Sequence, residues 1–172
     1  MKKLFVVGTA FAFFLTVGCN KDKDNENSIN STDQMFVTQV SIGNNAEIAA
    51  GQLAASKAEN ASVRAFGQMM VTEHGTAQND LKSLGSNVGI TVSDTVDAEH
   101  IALMARLNSL SGHSFDTAYM HSQVKDHQKT LTIFQDELNS GNHQQVKSYA
   151  NQYLPHIQMH NQKADSLSRV IE

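Results

Sequence analysis

Four long stretches of this 172-residue chain each place one metal-capable side chain in the middle of an otherwise apolar helical seam: Glu47, His74, His127 and His160. In the first stretch the 3–4 spacing runs Phe36, Val40, Gly43, Glu47, Ala50, Ala54, and in the second Val63, Phe66, Met70, His74, Ala77, Leu81, Leu84. The third reads Met120, Val124, His127, Leu131, Phe134, Leu138, and the fourth Ala150, Tyr153, Ile157, His160, Ala164, Leu167, Ile171. Residues so spaced line one helix face and pack inward. A carboxylate or imidazole on such a face costs several kcal/mol unless it is paired, hydrogen-bonded or bound to a metal. Four of them, one per helix, relieve that cost together by sharing an ion.

His156 lies one helical turn before His160, so either imidazole or both can reach the same level. Glu73 and Asp126, adjacent to His74 and His127, stand as outer hydrogen-bond partners. The seams hold too few carboxylates for a di-iron centre, which draws Glu from all four helices. An imidazole-rich set suits a single Zn, Cu, Fe or Ni ion. Met70 and Met159 leave copper open through thioether ligation, although core filling accounts for them more simply. The competing account of the seam histidines is that each is satisfied by a backbone or side-chain acceptor. Recurrence of one per helix at matched depths weighs towards the ion. His100, His113, His121 and His143 fall at termini, in a connection or off the seams, and read as surface residues.

The elements that must position these residues follow from composition and breaks. Pro occurs once and Trp is absent, and the periodic stretches are rich in Ala, Leu, Met, Gln and Lys, which favours helix over strand. One helix should start near Thr32 or Asp33 and run to about Ala58, with Glu59-Asn60 as the turn. The next should run from Ala61 to Ser86, closed by Asn87-Val88-Gly89. A connection from Val88 to Gly112 contains its own helical pattern over Asp97–Leu110. The last two helices should cover Ser114–Leu138 and His143–Val170 about the turn Asn139-Ser140-Gly141-Asn142. Two short turns and one long crossover make two antiparallel hairpins, an all-α four-helix bundle of the ferritin-like kind. Pro155 should kink the last helix just before His156. The hairpins look duplicated: aligning Phe36 with Phe115 brings Glu47 onto Asp126, and after extra turn residues Phe66 falls on Tyr149 and Glu73 on His156.

The N-terminus reads differently. Lys2 and Lys3 precede an apolar run from Leu4 to Val17, as in a secretory signal peptide. Leu15-Thr16-Val17-Gly18-Cys19 resembles a lipobox, with its Leu one place early, so residues 1–18 are expected to be removed and Cys19 acylated. Residues 19–31 then form a polar tether, whose acidic and Lys-rich start resembles a lipoprotein surface-export signal. Residues 32–172 form the bundle domain. Such a chain would sit in the cell envelope, held to the outer membrane at its periplasmic face or the cell surface by lipid. Cys19 is the sole cysteine, which excludes an internal disulfide. The full chain has 13 Lys and Arg against 17 Asp and Glu; removing Lys2 and Lys3 leaves 11 against 17, a net −6 that argues against nucleic-acid binding. No nucleophile elbow, P-loop or dinucleotide fingerprint is present, so a non-catalytic role is expected.

Four of these stretches also carry a family resemblance: Glu47 to Ala54, Phe66 to His74, Phe115 to Met120 leading to His127, and Leu154 to His160. Together they resemble the DUF4142 family. The resemblance implies a ferritin-like fold and an envelope location, with the family's recurring polar positions on Glu47, His74, His127 and His160; it implies no reaction. Three functions are therefore expected in order: an anchored metal-binding bundle, a structural or interaction lipoprotein without metal, and a redox enzyme of the ferritin superfamily.

Overall fold

A computed structural model describes residues 27–171. The expected signal peptide, Cys19 and the first part of the expected tether lie outside the described residues. Five helices follow in order: α1 (Ser31–Lys57), α2 (Ala61–Val88), α3 (Ala98–Ser109), α4 (Gly112–Ser140) and α5 (Gln144–Ile171). The major contacts join α1 to α2, α4 to α5, α1 to α4 and α2 to α5, while α3 packs on α1 and α4. This is the ferritin-like bundle, two antiparallel hairpins with a crossover. None of the described helices is long and apolar enough to cross a membrane.

Local chemistry sets the boundaries. The cap of α1 is Asn30 rather than Thr32 or Asp33: its side chain accepts from the Asp33 amide while the Asp33 carboxylate accepts from the Asn30 amide, a reciprocal capping box. Asn60 caps α2 through the Ser62 amide at 2.8 Å. Gly89, in the left-handed region at φ 75°, ends α2, and the Ile90 amide closes onto the Gly85 carbonyl at 2.9 Å. Pro155 does not break α5, which continues as one helix from Gln144 to Ile171.

Two buried clusters fill the interior. One gathers Phe36, Leu81, Phe134, Tyr149 and Tyr153 near the second turn; the other gathers Phe66, Met70, Leu107, Phe115 and Tyr119 near the first. Met70 is fully buried there, as a core filler would be. Every residue of the second seam is buried. On α4 the expected seam is partly wrong, because Val124, Leu131 and Leu138 are only half-buried whereas Gln123 and Glu137 are inside.

The duplication is real in geometry but its register is simpler than the sequence suggested. One shift of 83 residues carries α1 and α2, residues 31–57 and 61–88, onto 114–140 and 144–171, the span of the second hairpin. It also carries contacts onto contacts. Asp33 accepts from the amides of Asn142 and His143 at 3.1 and 3.0 Å, and Asp116 accepts from those of Glu59 and Asn60 at 3.0 and 2.7 Å. Each hairpin thus clamps the other's turn. The edge-on ring pair Phe36–Tyr149 likewise maps onto Tyr119–Phe66, with centroids 6.1 and 6.3 Å apart. Under this shift Glu47 falls on Thr130, not Asp126, and Phe36 on Tyr119, not Phe115. No extra turn residues are needed.

Two further expectations change. His143 is buried beside the Asp33 clamp rather than on the surface, and the His100 side chain is tucked against Asp97 at 2.6 Å. The end of the expected tether is also docked: the Asn27 side chain accepts from the Gln144 amide, and the Ser28 carbonyl from Asn142 Nδ2.

Candidate metal centre

His74 of α2, His127 of α4 and His160 of α5 meet at mid-bundle, all buried, each with one ring nitrogen within 4.8 Å of the others. Their ring centroids lie 5.3 to 5.7 Å apart. They come from three different helices, and the packing of α1 on α2, α4 on α5 and α2 on α5 brings them to one level.

Hydrogen bonds to the outer nitrogens fix the tautomers. His127 Nδ1 lies 2.8 Å from the Gln123 carbonyl oxygen, which can only accept, so this nitrogen carries the proton. His160 Nε2 lies 3.0 Å from the Glu73 carboxylate and donates for the same reason. His74 Nδ1 meets Asn44 Oδ1 at 2.9 Å, and the Asn44 amide is oriented by its own donation to Gln78 Oε1 at 3.2 Å. The remaining nitrogens, His74 Nε2, His127 Nε2 and His160 Nδ1, are buried without a protein hydrogen-bond partner. Burial pushes all three imidazoles towards neutrality: His127 and His160 fall to about 4, and His74 falls well below its usual value, helped by its two histidine neighbours. Three lone pairs therefore face one another with no proton between them. Acceptors arranged so repel, and a cation is the natural complement.

The donor set fits a transition ion. Metal–imidazole bonds of about 2.1 Å place tetrahedral ligand nitrogens about 3.4 Å apart, so closure draws the rings in by no more than about 1.4 Å. Each ligand nitrogen has its ring partner anchored by a carbonyl, an amide or a carboxylate, the outer support that orients metal-binding histidines. Three imidazoles would leave one position of a tetrahedral ion open.

Two of the expected ligands stand apart. Glu47 is buried, but its carboxyl takes a 2.7 Å hydrogen bond from Gln123 Nε2 and approaches His127 only at the protonated Nδ1, 3.8 Å away. It stands behind His127 rather than in the cluster. Burial, with Asp126 nearby, raises it to about 8, so it is neutral at ordinary pH. His156 faces solvent, half-exposed, with Nδ1 3.0 Å from the same Glu73 oxygen that holds His160. Its direction follows from the helix period: four residues before His160 the turn has come round by 400°, enough to move it to the rim. Pro155 does not redirect it inward. Glu73 is the outer partner expected, though of His160 and not of its neighbour His74. Burial tends to raise its carboxyl, but hydrogen bonds from His156 and His160 outweigh that and hold it below the usual range. Asn44 and Gln123, which seat His74 and His127, had no apolar seam to mark them; the one sequence signal was their placement three or four residues from Glu47 and His127.

The centre borders two recesses. One, of about 260 Å³, lies under the crossover, where Asp97 and His100 join Glu47 and Asp126 at its wall. The other, of about 270 Å³, lies between α2 and α5 and is lined by Glu73, His74, Asp80, Tyr153, His156 and His160 among others.

Comparison with known proteins bears on the fold and family. Residues 20–167 match the model of a family described as a domain of unknown function, DUF4142. No curated protein matches the chain. Among solved structures, a DUF305 fragment from Deinococcus radiodurans is similar, with a TM-score of 0.72 at 12% identity, covering 83% of this chain and 99% of that one. At that identity the likeness concerns the fold alone.

Proposed function

The chain belongs to the DUF4142 family, whose description assigns no activity, and from that premise we propose that the bundle binds a single transition-metal ion through His74, His127 and His160. One observation carries the reading: three buried, neutral imidazoles turn their unprotonated nitrogens towards a common point while their outer nitrogens are all engaged. Zn, Cu, Fe and Ni all accept such ligands. The role is holding or handling the ion rather than turnover, since no nucleophile or general base with a free partner stands in the centre. The structural-lipoprotein alternative expected the interior polar groups to hydrogen-bond among themselves, and the three inner nitrogens do not.

The same proposal places the bundle in the cell envelope, anchored through acylated Cys19 at the outer membrane. Two acyl groups or more give stable attachment where one does not. Replacing Cys19 by Ala should abolish lipid labelling and release the protein from membranes; continued labelling would refute the anchor.

For the metal, thermal unfolding of the purified chain decides. An ion present at about 100 times its Kd stabilises the folded state by about 2.7 kcal/mol. One of the four ions should raise Tm, and His74→Ala should abolish the rise. An unchanged Tm with all four would overturn the reading.

A further inference from the structure

We propose that the ion reaches the three histidines through the cleft between α2 and α5, where Glu73 and His156 form an outer landing site that hands it inward to His160. This rests on the metal-binding reading above and goes beyond it by assigning a route and two residues that work there.

Three observations support it. First, Glu73 Oε2 stands 3.0 Å from His156 Nδ1 and 3.0 Å from His160 Nε2. One carboxylate oxygen therefore joins a half-exposed imidazole to a buried one whose far nitrogen belongs to the trio. Second, the cleft is lined by α2 and α5 residues alone and includes both inner rings, His74 and His160, as well as Glu73, Asp80 and His156 at the rim. A dication entering there meets the Glu73 carboxylate and the His156 ring at the rim, with the His74 and His160 rings behind them. Third, the opposite recess is less welcoming. The crossover lies across it, with Asp97 and His100 bonded to each other, and Lys129 adds a positive charge to its wall, although Asp126, Glu47, His74 and His127 also line it. The connection that leads there is tied down too, since the Ser93 carbonyl accepts from Ser41 at 2.6 Å and Asp94 pairs with Lys82 at 2.7 Å.

A route differs from a ligand in its kinetic signature. A landing site lowers the barrier in both directions, so losing it slows entry and exit together, and affinity, the ratio of the two, moves far less than either rate. Charge focused in a cleft raises association rates by about tenfold or more.

The test is stopped-flow binding of Zn2+ against a chromophoric chelator, using the full chain, His156→Ala, His100→Ala and, as the reference for a lost inner ligand, His74→Ala. His156 is exposed, so its replacement leaves the core intact. In His156→Ala, association and dissociation should both slow by about tenfold, while His100→Ala keeps wild-type rates. Wild-type rates in His156→Ala would overturn the route while leaving the metal-binding reading standing. So would slowing in His100→Ala alone, which assigns entry to the other face, or loss of affinity in His156→Ala as large as in His74→Ala, which makes His156 an inner ligand. Absence of Zn2+ binding to the wild-type chain overturns the route, and if Cu, Fe and Ni also fail to bind, the metal-binding reading falls with it.

Discussion

The two hairpins share a frame and differ in what they put on it. Shifted by 83 residues, Asn44 corresponds to His127, Ala77 to His160 and His74 to Ile157. All six positions surround the same centre: Asn44 holds His74, and Ala77 and Ile157 line the cleft beside His74 and His160. The frame was kept and the chemistry diverged. The second hairpin supplies two imidazoles where the first supplies an amide and a methyl group. The turn clamps diverged as well. Beside Asp33 sits Glu137, fully buried, with a pKa raised to about 8 by burial first and by the neighbouring Asp33 carboxylate second. At the other clamp the residue corresponding to Glu137 is Ala54. One end of the bundle therefore stores a proton and the other does not. The candidate metal centre lies in the deviations from the repeat, whereas the turn clamps and ring pairs lie in the repeat itself.

The sharpest way to break this comparison is at the centre. His127→Ala should weaken metal binding by at least about 100-fold, whereas Asn44→Ala, at the corresponding place, removes only the support of His74 and should cost about 10 to 100-fold. A competition titration measures both, and equal losses would mean that Asn44 is a ligand in its own right.

The clamps come next. Asp116→Ala frees two part-buried turn amides and leaves a gap where a buried carboxylate stood, which should cost about 2 to 3 kcal/mol in urea unfolding. Asp33→Ala frees three, counting that of Asn30, and should cost more at pH 5 to 6. Its excess over Asp116→Ala should then shrink as pH rises through 8. The sign follows from Glu137: its folded value of about 8 lies above the unfolded 4.5, so the folded state holds a proton that the unfolded state has lost. Stability from that proton is complete below about pH 4.5 and lost as pH rises through 8. Glu137→Gln should accordingly flatten the decline of Tm over this window, leaving the part due to Glu47, which behaves in the same way.

A smaller difference separates the hairpin interfaces. A methyl group on Gly67 would come within 2.8 Å of the Gly51 carbonyl, and one on Gly51 within 2.7 Å of the Gly67 carbonyl. The corresponding residues of the second hairpin are Phe134 and Ala150, which already carry side chains. Gly67→Ala should therefore destabilise by about 1 to 3 kcal/mol through overpacking. Ala150→Gly should cost about 1 kcal/mol from helix propensity alone.

How much of this was legible in the sequence depends on which kind of residue carried it. Apolar period and turn residues located the hairpins to within a few positions, because burial of Phe66, Leu81 or Ile157 is what the period records. They also found His74, His127 and His160, since each stands in an apolar row. The same reasoning failed where polar groups are buried. Glu47 looked like the inward group of α1, yet Asn44, three residues earlier, is the one level with His74. Gln123 and Glu137 are inside α4 but invisible to an apolar count, which drew the seam through Val124 and Leu138 instead. Choosing between His156 and His160 needed the absolute rotation of α5 against α2, which the spacing of two residues on one helix cannot give. The repeat was seen and registered rightly on α2 and α5, where Phe66 falls on Tyr149 and Glu73 on His156, but misregistered on α1 and α4, because Phe36 was matched to Phe115; Asp33 and Asp116 share a type and a task, and matching them gives one shift for the whole chain.

The reciprocal clamps have a consequence for origin. Each half closes the other's turn with the same residue, which is the relation between subunits across an isologous two-fold interface. A peptide of half this length, meeting its own copy, would make both clamps and both aromatic pairs at once. Such a homodimer, however, must duplicate every ligand: a histidine at position 127 demands one at 44, and the centre would hold an even number of imidazoles. A single chain that joins the two halves through residues 89–111 is free of that constraint. Only a fused pair can present an odd number of ligands at its own axis, and with three it can leave a coordination position free.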